Sequence, residues 1–165
     1  MKLLLALTVA TALTTQDLPP KGESRATETK HLVVTTSASP ETVTPGKPVT
    51  LAIDVAPKPT MHVYSPGQKG YIAITLTLDA SPAFTAGKAK YPAGEKIYMP
   101  ILNETQTVYA KPFRILQNVT LRQGSGHALR PMTIKGTLRY QACDDTICYL
   151  PTTVPLVWNL PLAFD

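Results

Sequence analysis

The sequence predicts an all-β domain built of antiparallel sheets, on three observations. Proline is abundant at 16 of 165 residues, roughly twice the average usage of about 5%. Each proline removes a backbone donor and clashes with the preceding helical turn, so prolines spread along a chain exclude long helices and coiled coils. Threonine, a β-branched residue suited to a pleated surface, occurs 23 times. Apolar and polar residues alternate over several stretches, the two-residue period of a half-buried strand. A hydrophobic content of 44% is enough for a packed core and argues against disorder. The length suits one domain.

The elements follow in chain order. Lys2, an apolar run over residues 3–9 and the small residues Ala10-Thr11-Ala12 have the pattern of an export signal over residues 1–12. The run is shorter than the roughly 20 residues a bilayer span needs, so no stable membrane span is expected. Export would place the chain where disulfides persist. Residues 13–30 are polar and carry Leu18-Pro19-Pro20-Lys21, which reads as a tail or linker ahead of a domain over 31–165. Within that domain Val49, Leu51, Ile53 and Val55 alternate with polar or small residues, as do Ile72, Ile74, Leu76 and Leu78. Met132, Ile134, Leu138 and Tyr140 form another such face, and Val154, Leu156, Trp158 and Leu160 the last, with Trp158 expected in the core. Further strands are expected near 31–37, 61–65, 84–90 and 107–120. Turns are expected at Thr44-Pro45-Gly46, Ser65-Pro66-Gly67, Pro92-Ala93-Gly94 and Gly124-Ser125-Gly126. Seven or eight short strands so punctuated predict an immunoglobulin-like sandwich.

Charge narrows the function. Lys and Arg number 16 against 11 Asp and Glu, a net charge of +5, but they are scattered singly. A nucleic-acid footprint would be clustered, so nucleic-acid binding is not expected. His31, His62 and His127 show no paired ligand spacing, and Met61-His62 is a single soft-donor pair, so neither a metal site nor a cofactor is expected.

The two cysteines, Cys143 and Cys148, stand in Arg139-Tyr140-Gln141-Ala142-Cys143-Asp144-Asp145-Thr146-Ile147-Cys148-Tyr149-Leu150-Pro151. This segment leaves one expected strand (131–141) and enters the next (152–160). So close a pair is either a local disulfide or a reactive dithiol. The spacing is not Cys-x-x-Cys, which excludes the thioredoxin signature and covalent haem attachment. A bond closing so small a ring contributes roughly 2 kcal/mol in the chain-entropy model, against about 4.7 for a loop of 100 residues. A purely structural bond would do better joining distant strands, although a local staple stays open on spacing alone. Exchange requires that a partner sulfur reach the pair in line, and a loop on a rigid sandwich is reachable. Asp144 and Asp145 would disfavour a further negative charge beside them.

Two blocks carry a resemblance to a known family. The first is Tyr140-Gln141-Ala142-Cys143-Asp144-Asp145-Thr146-Ile147-Cys148-Tyr149-Leu150-Pro151, continued by Thr152-Thr153-Val154-Pro155-Leu156. The second is Met61-His62-Val63-Tyr64-Ser65-Pro66-Gly67-Gln68-Lys69-Gly70-Tyr71. Together they resemble the N-terminal periplasmic domains of the thiol:disulfide interchange protein DsbD, over most of residues 31–162. The resemblance implies a monomeric immunoglobulin-like electron shuttle, a thiol-disulfide oxidoreductase of the protein-disulfide reductase type. It would take electrons from a thioredoxin-like donor and pass them to oxidised periplasmic thiol proteins. Cys148 would exchange with partners and Cys143 would resolve the mixed disulfide. With the two aspartates beside it, Cys148 would act mainly as the sulfur attacked by a partner, or inside a complex that displaces water. Tyr64 and His62 would fall near the cysteines and modulate them. A cap loop would correspond to residues 96–104, with Tyr98 and Leu102 as its candidate covering side chains. Full-length members continue into membrane helices and a thioredoxin-like domain, whereas this sequence ends at Asp165, so the expectation is either a stand-alone version that borrows electrons from separate proteins or a kept fold with a changed partner. The competing expectation is an immunoglobulin-like binding or assembly module with a local staple. A staple should resist reduction, with a potential below about −300 mV.

Overall fold

The computed structural model describes residues 25–100, 102–122 and 131–163. Along the chain run β1 (Arg25–Glu28), β2 (Leu32–Ser39), β3 (Pro48–Pro57), β4 (His62–Tyr64), β5 (Thr75–Leu78) and β6 (Phe84–Ala86). They are followed by β7 (Glu95–Met99), β8 (Glu104–Tyr109), β9 (Phe113–Leu121), β10 (Met132–Tyr140), β11 (Ala142–Cys143) and β12 (Thr152–Leu160). No helix occurs among the described residues, and none there is long and apolar enough to cross a membrane.

The strands form three sheets, ordered β1-β2-β3-β9-β6, β12-β10-β5 and β11-β4-β8-β7. Every strand ladder is antiparallel. The first two sheets enclose the main core in an immunoglobulin-like sandwich. The alternating residues do what their period dictates: Leu51 and Ile53 of β3, Ile115 and Val119 of β9, Ile134 and Leu138 of β10, and Val154 and Leu156 of β12 are all buried in one cluster. Each such side chain contributes roughly 1.5–3 kcal/mol by leaving water. Trp158 is 2% exposed, as its alternating face requires. Its indole N–H donates to the Ser37 carbonyl at 3.1 Å and also approaches that of Ala52 at 3.4 Å. The ring thereby fastens β12 to β2 and β3 across the core. Gly136 lies mid-strand in β10, where a Cβ would stand 2.5 Å from the Thr77 carbonyl oxygen, so a bare Cα lets β5 approach.

The sequence pattern departs from the structure in several places. The stretch 107–120 is two strands, β8 and β9, in different sheets. Pro112 cannot donate to a ladder, and the Tyr109 and Phe113 rings stack at 4.0 Å across the corner. The stretch 84–90 is a strand only to Ala86. Beyond it the Gly87 and Lys90 amides still bond to the Asn118 and Leu116 carbonyls of β9, at 2.8 and 2.7 Å. The stretch expected as a strand from Ile72 pairs only over β5, and the Ile74 amide donates instead to the Tyr64 carbonyl at 2.8 Å. Sheet structure also starts before His31: β1, wholly polar or small in sequence, pairs with β2 over residues 33–36. The export signal, residues 13–24 of the expected tail, the turn Gly124-Ser125-Gly126 and His127 lie outside the described residues.

Candidate functional site

The cysteine loop leaves β11 and returns into β12. Cys143 and Cys148 are joined in a disulfide, with Cα atoms 4.0 Å apart. The loop is also held by bonds that do not involve sulfur. The Asp144 amide donates to the Ile147 carbonyl at 2.9 Å, and the Tyr149 amide to the Ala142 carbonyl at 2.8 Å. The Asp144 carboxylate braces the turn from within. Its Oδ1 accepts from the Thr146 amide, the Thr146 hydroxyl and the Ile147 amide, each at 2.8 Å. Its Oδ2 accepts from the Tyr149 hydroxyl at 2.8 Å. These donors, led by the two backbone amides, hold the Asp144 carboxyl well below the usual carboxylate range. Asp145 is exposed.

A pH dependence follows. A depressed folded pKa contributes stability that is fully present above the unfolded value of about 3.9 and is lost as the pH falls toward the folded one. Asp144→Ala is therefore expected to lower the melting temperature at pH 7, by a margin that starts shrinking below about pH 4. Thermal melts of both proteins between pH 7 and pH 2 check this. A margin that stays constant to pH 2 would remove the carboxylate from the role of brace.

The two sulfurs differ in access. Cys143 is 1% exposed, whereas Cys148 is exposed. Tyr64 of β4 lies against both, its hydroxyl 3.0 Å from Cys143 Sγ and 3.3 Å from Cys148 Sγ. Burial, reinforced by the neighbouring Tyr71, pushes the Tyr64 hydroxyl up to about 12, so it is a neutral donor at ordinary pH. The Tyr64 ring stacks on Tyr71 at 4.3 Å. The Tyr71 hydroxyl donates to Glu104 Oε1, which also accepts from Gln106 Nε2 at 2.7 Å. Tyr64, Val108 and Cys143 thus form a small core of their own beside the main one.

His62 stands directly opposite Cys143 in the β4–β11 ladder, so the two side chains share a face. It is 4% exposed, and its Nε2 is buried without a hydrogen-bond partner. Burial lowers the imidazole below its ordinary value, and Asp145 and Asp144 oppose that in part.

A cavity of about 220 Å³ opens beside the disulfide, lined among others by His62, Tyr64, Met99, Leu102, Ile147 and Cys148. The segment expected as a cap loop joins β7 to β8 in a hairpin, with Asn103 at a positive φ of 51°. Of the two candidates, Leu102 lines the cavity and Tyr98 does not. Strand alternation turns Tyr98 outward, where its hydroxyl donates to Asn103 Oδ1 at 2.8 Å. Met99, one residue on, points inward and lines the cavity. Behind the loop, the Tyr149 ring packs on His31 at 4.5 Å and under Lys30 Nζ at 4.6 Å. Among the described residues no group of three or more His, Cys, Asp and Glu could hold a metal ion.

The structure therefore gathers Cys143, Cys148, Asp144, Asp145, Tyr64, His62 and Leu102 around one cavity and leaves Tyr98 outside it. Sequence reasoning missed Met99, Tyr71, Glu104, Gln106 and Tyr149. Met99 sits next to the chosen Tyr98, and period two would have selected it. Tyr71 closes the second family-like block, and Tyr149 directly follows Cys148. Glu104 and Gln106 carry no local signal.

An immunoglobulin-like sandwich with a disulfide in an interstrand loop, one sulfur exposed and the other buried under a tyrosine, is a disulfide-bearing β-domain with an accessible couple. The chain belongs to the family described as thiol:disulfide interchange protein DsbD, N-terminal, whose profile matches residues 29–156. Its fold is similar to that of the N-terminal periplasmic domain of ScsB from Proteus mirabilis. The TM-score is 0.55 at 17% identity, over 80% of this chain and 47% of that one. This chain thus spans about half the length of that relative. The Neisseria meningitidis DsbD N-terminal domain in the reduced form also matches, at 17% identity and TM-score 0.47, over 67% of this chain and 77% of that one. The GAE domain of GGA2p from Saccharomyces cerevisiae matches at 9% identity and TM-score 0.48, over 84% and 98%. No curated protein matches the sequence significantly.

Proposed function

We propose that this domain exchanges thiols and disulfides with proteins of the periplasm through the Cys143–Cys148 couple. It takes electrons from a thioredoxin-like donor and delivers them to oxidised thiol proteins. The observation that carries this reading is the asymmetry of the couple, with Cys148 exposed and Cys143 1% exposed under the Tyr64 hydroxyl. A donor thiolate attacks Cys148 Sγ, the internal bond breaks, and Cys143 leaves as a thiolate to which Tyr64 donates. The donor's second thiolate then releases Cys148, so two electrons enter the couple and the donor becomes a disulfide. The steps run in the opposite sense toward an oxidised partner. Export through residues 1–12, with a tail that reaches the first strand, belongs to the same proposal.

The test mixes the oxidised protein with a reduced thioredoxin-like domain and traps thiols by alkylation at short times. Two new thiols on this chain within seconds are expected. An intact disulfide after minutes sinks the shuttle, and a potential below about −300 mV would instead make the bond a staple.

A further inference from the structure

We infer that His62 carries the proton between Cys143 and the departing partner sulfur when a mixed disulfide at Cys148 is resolved. This deepens the exchange reading and rests on it. Geometry places the imidazole. His62 and Cys143 are paired residues of the β4–β11 ladder, which sets their Cβ atoms about 4.5–5.5 Å apart on one face. His62, Cys143 and Cys148 border the same cavity. A buried ring nitrogen with no partner, as at Nε2, is costly unless some state of the molecule uses it.

The other groups around the sulfurs have different tasks. Tyr64, edge-on to the His62 ring at 6.1 Å, keeps its proton and is no base for the Cys143 thiol. Asp144 commits both carboxylate oxygens to four donors within the loop. Glu104 is engaged by Tyr71 and Gln106. Asp145 is exposed and solvated. Gln106 Oε1 also borders the cavity without a partner, but an amide oxygen does not take up a proton near neutral pH, so His62 is the neutral base among the described lining residues, with Asp145 and Asp144 as the charges acting on it.

The step balances. The Cys143 thiol gives its proton to the imidazole as its sulfur forms the bond to Cys148 Sγ. The bond from Cys148 to the partner breaks, and the partner sulfur leaves with the electron pair and receives that proton. The need is real: an ordinary thiol of pKa about 8.5 is only about 0.3% thiolate at pH 6.

The experiment uses the reduced full chain and the small disulfide 5,5′-dithiobis(2-nitrobenzoate), with released nitrothiobenzoate followed by absorbance. A first, bimolecular phase reports attack by the exposed Cys148. A second, intramolecular phase reports attack by Cys143 on the adduct. His62→Gln and His62→Phe are expected to slow the second phase at pH 6 by about tenfold or more, within the usual reach of acid–base assistance, and to leave the first within about twofold. In both variants the second phase should rise about tenfold per pH unit from pH 5 to 8, as free thiolate does. In the parent chain it should stay level until the imidazole protonates. An unchanged second phase, or equal slowing of both phases, overturns the proposal. NMR titration of His62 in the parent chain gives a check that no misfolded variant can blur. Its midpoint must differ between oxidised and reduced protein, and identical titrations overturn the assignment. The probe involves no protein partner, so failure of electron transfer from a thioredoxin-like donor and failure of this role are separately visible.

Discussion

Cys143→Ser is expected to trap a partner covalently, whereas Cys148→Ser is expected to abolish exchange. In the proposed exchange the exposed Cys148 forms the mixed disulfide, and the thiol that would displace the partner, Cys143, sits 1% exposed behind it. An internal nucleophile acts at an effective concentration many orders above any external thiol. Its loss should lengthen the life of the mixed disulfide by roughly a thousandfold or more. Non-reducing electrophoresis after mixing with an oxidised thiol protein would show a band at the summed mass for Cys143→Ser and none for Cys148→Ser. The reverse pattern would exchange the two roles.

Trp158→Ala is expected to cost about 3–5 kcal/mol of folding stability, the usual range for deleting a buried large aromatic. The loss includes the packing of a ring that is 2% exposed and the indole bonds to Ser37 and Ala52. Against a total of about 5–15 kcal/mol for a typical domain, that is a large fraction. Urea unfolding of the oxidised protein, followed by circular dichroism because the chain's one tryptophan is gone, gives the value. A loss under about 1 kcal/mol would mean the sandwich does not depend on this ring.

Legibility in the sequence tracked burial. The faces of β3, β10 and β12 were plain because one side of each strand meets the core, and a period of two then has to appear. β1 was illegible because Arg25-Ala26-Thr27-Glu28 is a polar edge with nothing to bury. β7 falls within the 96–104 segment that the resemblance marks as a cap loop, and its partner β8 supplies the pairing that makes it a strand. At the site, the cysteines and Tyr64 could be found because the two sequence blocks that contain them resemble a family. The Tyr71–Glu104–Gln106 chain could not, since it depends on β8 lying beside β4, a long-range pairing with no local sign. Asp144 was read as a charge facing a thiol. Four donors from its own loop also make it a brace, a role that spacing does not reveal.

The braced turn has one more consequence. Asp144 and the two backbone bonds brace the loop independently of the sulfurs. In the proposed exchange, a loop so braced would let the oxidised and reduced forms offer nearly the same face to a protein that docks there. A donor of the proposed kind would then be unable to turn away, by shape alone, a domain it has already served, and the reduced form would compete with the oxidised form for it. Throughput would be governed by how quickly a downstream acceptor clears the reduced pool.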